Sequence, residues 1–216
     1  MALVRKYGTY RRMPWRNGRG FTLEIAREPA REPAREPAKA EDFAWRLSLA
    51  DIDRNGDFSA YPGYRRALVL VAGERLRLRF RGHGNRTLDP AHRGARFEGD
   101  WETHCAIPRG RCTDLSLIVH KGSGIRSGSV VRAPKVMRVS SAGRTVLAAH
   151  LQGALFVIAG SVAVSESTRA RPHILRARDT LLLSAGRPRT LRFRNLETSS
   201  AQLVVLSWRP GRDGRK

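Results

Sequence analysis

The chain has 216 residues, 41% of them hydrophobic, with 41 Lys and Arg against 19 Asp and Glu and a formal net charge of +22. That length accommodates one large β domain or two small ones with a real core, and the composition is too apolar for a disordered chain. No apolar run reaches the roughly 20 residues of a membrane span. The stretch from Met1 to Arg12 is charged and lacks the apolar segment of a secretory signal, and Cys105 and Cys112 read as reduced thiols, so a cytoplasmic protein is expected.

The charge surplus would ordinarily point to nucleic acid or an anionic surface. Only Lys6, Lys39, Lys121, Lys135 and Lys216 are lysines, however, and the arginines are scattered along the chain rather than gathered into a stripe. Zinc-finger spacing, an aromatic-rich RNA-binding strand and a basic heptad helix are all missing, so no specific nucleic-acid site is expected.

Met13-Pro14-Trp15-Arg16-Asn17-Gly18-Arg19-Gly20-Phe21-Thr22-Leu23-Glu24-Ile25 sets a flat ring, an amide and a carboxylate beside two glycines. Glycines allow close backbone approach, so the stretch reads either as a small-ligand wall or as a turn that starts a strand. Ala26-Arg27-Glu28-Pro29 is then repeated through Pro37 and decays by Glu41. Proline at every fourth position excludes a regular helix or a central strand, which predicts an exposed loop over 26–41.

Phe43 to Ala50, Ala67 to Val71, Leu76 to Phe80 and Asp114 to Val119 read as strands, punctuated by Gly, Asn, Asp and Pro. A Gly- and Ser-rich break over Gly122 to Gly128 precedes a second set at Thr145–His150, Leu155–Ala159, Val162–Ser165, Thr180–Ser184, Thr190–Arg194 and Gln202–Trp208. Gly160-Ser161, between two apolar runs, reads as a hairpin signal. Short strands and tight turns predict an all-β sandwich or barrel, in halves of 1–125 and 126–209 with a disordered tail at 210–216.

The Trp15 stretch is followed by Phe43-Ala44-Trp45-Arg46-Leu47-Ser48, by Gly56-Asp57-Phe58-Ser59-Ala60-Tyr61-Pro62-Gly63-Tyr64-Arg65-Arg66, by Phe97-Glu98-Gly99-Asp100 and by Asp114-Leu115-Ser116-Leu117-Ile118. In that order and spacing the chain resembles the HutD/Ves family over most of residues 8 to 122, and more loosely beyond. The resemblance implies a bicupin, two small antiparallel β-barrels or jelly rolls in one chain. It further implies a protein that binds a small acid of histidine utilisation, such as urocanate or an N-formyl or N-formimino glutamate, and regulates or sequesters rather than catalyses. Arg16 stands where the family has Lys, Arg19 where it has Gly, and Ser116 and Ile118 where it has Asn and Met. Ser116 removes an amide that could read a ligand.

On such strands successive side chains alternate between lumen and exterior. With Trp45 outward, Arg46 and Ser48 face in, and Arg46 and Arg66 become candidates for clamping a carboxylate. Asn17, Ser48, Ser59 and Ser116 would add neutral hydrogen bonds, and Trp15, Tyr61 and Phe97 apolar walls. Glu24 and Asp114 are either part of the site or internal partners that buttress Arg46, since an inward guanidinium needs a counter-charge.

His83, His92, His104, His120, His150 and His173 lack the spacing of a metal-binding cupin, and neither a phosphate loop nor a Cys-x-x-Cys pair is present. No metal and no cofactor are therefore expected. The expected partner is a small carboxylate metabolite, with no membrane, and a homodimer is left open. A metal-free enzyme acting on a small organic acid, with Glu24 or Asp114 as base, and a stress-related polyanion-binding protein remain as alternatives.

Overall fold

The structure, a computed structural model, describes residues 2–15, 20–29, 43–91, 93–122, 130–141, 144–149, 152–167, 170–185 and 189–209. Asn17, residues 30–41 of the repeat segment, His92, His150 and the 210–216 tail lie outside the described residues. The first part of the chain forms β1 (Ala2–Arg5), β2 (Arg11–Pro14), β3 (Phe21–Pro29), β4 (Phe43–Ile52), β5 (Gly56–Asp57), β6 (Tyr64–Ala72), β7 (Leu76–Phe80), β8 (Gly84–Leu88), β9 (Gly94–Glu98), β10 (Thr103–Ala106), β11 (Cys112–His120) and β12 (Val130–Val131). The second part forms β13 (Lys135–Val139), β14 (Arg144–Ala149), β15 (Gln152–Ala159), β16 (Val162–Ser165), β17 (His173–Leu175), β18 (Thr180–Leu183), β19 (Arg189–Asn195) and β20 (Ala201–Arg209). Among the described residues no helix is long and apolar enough to cross a membrane.

The chain divides into two compact units, one of Arg11–Ala133 with Arg209–Lys216, the other of Met1–Tyr10 with Pro134–Trp208. In the first, one sheet runs β2-β3-β4-β11-β6-β9 and a second runs β5-β10-β7-β8. Leu76-Arg77-Leu78-Arg79-Phe80 shows why the layers form: Leu76, Leu78 and Phe80 are buried while the arginines between them are exposed. They meet Leu68, Leu70, Ala95, Phe97 and Cys112 from the larger sheet in one core. Two facing sheets, rather than one sheet closed on itself, make this unit a jelly-roll-like sandwich instead of a barrel.

The second unit repeats the plan, with β1-β18-β15-β20 plus β13 in one sheet and β14-β19-β16-β17 in the other. Its core joins Leu155, Val157, Leu181 and Leu203 to Val162, Val164, Leu191 and Phe193. The N-terminal strand belongs here, pairing antiparallel with β18 from Ala2↔Leu183 to Arg5↔Thr180. Buried Asp179 fastens it, accepting hydrogen bonds from Lys6 Nζ at 2.8 Å, Tyr7 N at 3.1 Å and Arg176 N at 3.0 Å.

Two local expectations change. Gly160 does not close a hairpin: β15 pairs with β18 and β20, whereas β16 pairs with β17 and β19. At φ +81° it instead passes the chain from one sheet to the other, close against Ala201. The first copy of the proline repeat is also strand rather than loop, since β3 continues to Pro29. Proline is tolerated because β2 has ended and the β3–β4 register shifts between Glu28 and Pro29, leaving no ladder bond for the missing N–H to make.

Burial raises the Asp179 carboxyl, but the Arg176 N–H, the Lys6 ammonium and the Tyr7 N–H outweigh it and hold its pKa below the ordinary value. The stability this provides is present above the unfolded carboxyl's pKa, near 4, and is lost as pH falls through the lower folded value. Asp179→Ala is expected to lose about 1.5–3 kcal/mol of stability at pH 7. Chemical denaturation at pH 7 and pH 3 checks this, with the difference between the variant and the parent chain shrinking at the lower pH.

Candidate ligand-binding face

The larger sheet of the first unit brings most of the predicted residues onto one face. Antiparallel register sets Glu24, Ser48, Ser116, Leu68 and Ala95 side by side across β3, β4, β11, β6 and β9. The next row is Arg27, Arg46, Ile118, Arg66 and Phe97, and on the other side lie Thr22, Ala50, Asp114 and Leu70. Leu68, Leu70, Ala95 and Phe97 belong to the core, so this is the inward face, with Trp45 on the opposite one. A bulge at Ile25, where the β3–β4 register shifts between Glu24 and Ala26, re-aims the strand. It thereby puts Arg27 on the same face as Glu24, with Arg27 Nε 3.7 Å from Glu24 Oε1.

The two candidate clamp residues flank β11. Arg46 Nη2 donates to the Tyr61 hydroxyl at 2.7 Å and its guanidinium lies 5.0 and 5.2 Å from the Phe43 and Tyr61 ring centres. Arg66 is 7% exposed; its Nη1 donates to the Ser59 carbonyl at 3.3 Å, and its guanidinium sits among Phe58, Tyr61 and Phe97 at 5.2, 5.6 and 5.0 Å. Such contacts draw on the electron-rich faces of the rings but supply no counter-charge. Burial pulls the Arg66 pKa down to about 10, with Asp114 and Tyr61 opposing and Arg46 adding to the fall, so it remains a cation at neutral pH. Asp114 is 2% exposed, and burial pushes its carboxyl up to about 7; Arg66 opposes this and Asp51 adds to it.

Among the described residues neither Arg46 nor Arg66 makes an ion pair with Glu24 or Asp114. Arg46 is therefore held by Tyr61 rather than by an ion pair with Glu24 or Asp114. Buried polar atoms on this face stand without a hydrogen-bond partner: Glu24 Oε2, Arg46 Nε, Arg66 Nε, Asp114 Oδ1 and Ser116 Oγ. Such atoms are uncommon in native interiors, where a buried polar group is ordinarily met by protein, water, an ion or a ligand.

The other predicted residues fall differently. Tyr61 and Phe97 contact the guanidiniums, whereas Ser59 serves through its backbone carbonyl and its side chain is exposed. Trp15 meets the β3 end of the Asp114 row rather than the guanidiniums: its Nε1 donates to Thr22 Oγ1 at 2.9 Å and its ring covers Gly20, where a Cβ would sit 2.8 Å from it. Among the described residues no three His, Cys, Asp or Glu side chains come together as metal donors.

Sequence reading missed the clip that fixes Tyr61. Gly99 N donates to Tyr64 O and Tyr61 N to Gly99 O, each at 2.8 Å, while Asp100 Oδ1 accepts from Gly63 N at 2.9 Å. Lys121 closes it, pairing with Glu98 at 2.9 Å and Asp100 at 2.5 Å. Apart from Lys121, these are residues of the quoted motifs, and their conformational demands give the signal. A Cβ at Gly99 would lie 2.3 Å from Tyr61 O, and Gly63 has φ +80°.

With that geometry in view, the profile of the HutD family matches residues 7–202. The chain belongs to the HutD family. An uncharacterised 21.2 kDa protein in the hutC 3′ region of Pseudomonas putida is 38% identical over 109 residues, covering 50% of this chain and 53%, about half, of that protein. Protein Ves of Citrobacter koseri is 31% identical over 160 residues, or 72% of this chain and 74% of its own length. HutD from Pseudomonas fluorescens SBW25, solved in a formate condition, superposes with a TM-score of 0.70 at 28% identity, covering 97% of this chain and 100% of that one. The formate complex of Lactobacillus farciminis oxalate decarboxylase reaches a TM-score of 0.64 at 8% identity, covering 96% of this chain and 88% of that one, a likeness of fold alone. The HutD fold here is thus cupin-like, built as sandwiches.

Because the atoms met by a Gly99 side chain are backbone carbonyls, Gly99→Ala is expected to cost about 1–3 kcal/mol and to loosen the Tyr61 loop. A melting temperature lowered by several degrees checks the first effect. Loss of the hydrogen-exchange protection of the Tyr61 amide checks the second.

Proposed function

We propose that this face binds a small carboxylate metabolite, and that the protein acts in the cytoplasm as a regulatory or sequestering binder in histidine utilisation. Urocanate and the N-formyl and N-formimino glutamates are the candidate ligands. The observation that carries the reading is the pair of unpartnered Nε atoms on Arg46 and Arg66, together with the unpartnered Ser116 hydroxyl. A guanidinium edge offers two N–H groups to two carboxylate oxygens, and a hydroxyl offers one more. The two arginines stand two strands apart, about 10 Å between their Cα atoms, with β11 between them. That span suits a ligand with an anionic group at one end and a polar group at the other. HutD family membership and the hutC-region relative support the pathway context.

Thermal denaturation of the purified protein with urocanate, N-formylglutamate and N-formiminoglutamate tests the reading. A ligand at 100 times its dissociation constant adds about 2.7 kcal/mol of stability, a rise of several degrees for a chain of this size. Arg66→Ala is expected to weaken the bound acid by about 1.5–3 kcal/mol, and Arg46→Gln, at a half-buried position, to weaken it in the same direction. A shift with one acid that both variants reduce supports the proposal. The absence of a shift with every acid overturns it.

A further inference from the structure

Asp114 is the group on this face whose presence an anion site does not explain. It is 2% exposed, it lies on the same strand face as Ser116 two residues on, and its Oδ1 has no hydrogen-bond partner. An ionised carboxylate here would repel the ligand that Arg46 and Arg66 attract, whereas a neutral carboxylic acid is a hydrogen-bond donor. We propose that Asp114 holds a proton when the ligand is bound and donates it in a hydrogen bond to the ligand's carboxylate, beside Arg66 and Ser116, so that one proton is taken up per ligand. This rests on the carboxylate-binding reading above and deepens it.

The groups around Asp114 allow that assignment. From β6, Arg66 is a cation but makes no ion pair with Asp114 among the described residues. From β4 come Arg46, committed to Tyr61, and Asp51, which accepts from Thr113 Oγ1 at 2.6 Å. From β3 comes Glu24, the other carboxyl of the face, held by Arg27. From β10 and β11 come Cys105 and Cys112; burial pushes the Cys105 thiol up to about 12 and raises that of Cys112, so both stay neutral. The same burial that lifts the Asp114 carboxyl to about 7 makes the acid form available at neutral pH before any ligand arrives. Ligand carboxylate adjacent to it then raises the carboxyl further, which is proton uptake by linkage.

The sign follows from the direction of the shift. Below pH 7 the site already holds the proton and affinity is flat; above pH 7 the proton must be acquired, and affinity falls about tenfold per pH unit. Titration calorimetry of the full chain with N-formylglutamate and urocanate, between pH 6 and pH 9 in buffers of different ionisation enthalpy, counts the protons directly. Uptake near one per ligand at pH 8.5 and near zero at pH 6 is the expected result. In Asp114→Asn the amide N–H takes the donor's place, so affinity at pH 6 and pH 8.5 should coincide and proton uptake should vanish.

Binding with a pH-independent constant overturns this inference and leaves the carboxylate binder standing. A proton uptake that survives Asp114→Asn but disappears in Glu24→Gln assigns the proton to Glu24 and overturns it equally. Failure of every acid to bind overturns the underlying reading, and this inference with it. A measurement on the free protein is independent of any ligand. Burial that raises the carboxyl's pKa makes folding stability fall as pH rises from about 4 to about 7. Asp114→Asn should remove that slope, and a slope unchanged in the variant contradicts the neutral acid.

Discussion

Taking a guanidinium out of water costs several kcal/mol unless its donors find acceptors, and the first sandwich does this at Arg66, which is 7% exposed. The aromatic rings of Phe58, Tyr61 and Phe97 enclose it and one donor reaches the Ser59 carbonyl, yet Nε is left over and, among the described residues, no carboxylate pairs with it. A protein that needed only stability could fill this position with a hydrophobic residue of similar volume. Retaining a buried, incompletely paired cation beside a buried acid sets the character of the whole face. Burial raises the Asp114 carboxyl to about 7, with Arg66 opposing the rise and Asp51 adding to it, so the acid form is available near neutral pH.

That arrangement depends on parts of differing rigidity. Arg46, Ser48, Arg66, Asp114 and Ser116 project from β4, β6 and β11, the central strands of the sheet, which are paired on both sides, with one register shift between β11 and β6 next to Asp114. Tyr61 projects from a loop, and the loop is fixed by main-chain bonds to Gly99 and by Asp100 and Lys121. The Phe97-Glu98-Gly99-Asp100 stretch therefore serves two ends. Phe97 forms the wall under Arg66, and Gly99-Asp100 carries the clip that places Tyr61 between both guanidiniums.

Strand periodicity made the inward direction of Arg46 and Ser48 legible, because two residues per repeat survive wherever a ladder is regular. It failed where the ladder is irregular. The bulge at Ile25 shifts the register by one and brings Arg27, a residue of the proline repeat, onto the face; nothing in the local composition marks that shift. Gly160-Ser161 has the composition of a hairpin turn, but which sheet the next strand joins is decided by its partners, β17 and, further along the chain, β19. The role of Ser59 lay in its carbonyl, which every residue has, so its side chain gave no signal. The Gly99 clip was legible as a motif but not as a mechanism, since the close approach to Tyr61 exists only once the loop and β9 are brought together.

The large positive charge also bears on the proposed anion site. Arg77 and Arg79 sit on the exposed alternate positions of β7, and Arg192 and Arg194 on those of β19, while Arg66 is shielded from solvent. Exposed charges act through a field that salt screens within about 10 Å, and their effect on a small anion is to speed its arrival. The buried guanidinium is screened far less and, in the proposed site, would govern how long the anion stays. Surface arginines and site arginines therefore make separable contributions. Rising salt should erode association far more than residence, whereas a polyanion held by the surface alone would lose both together.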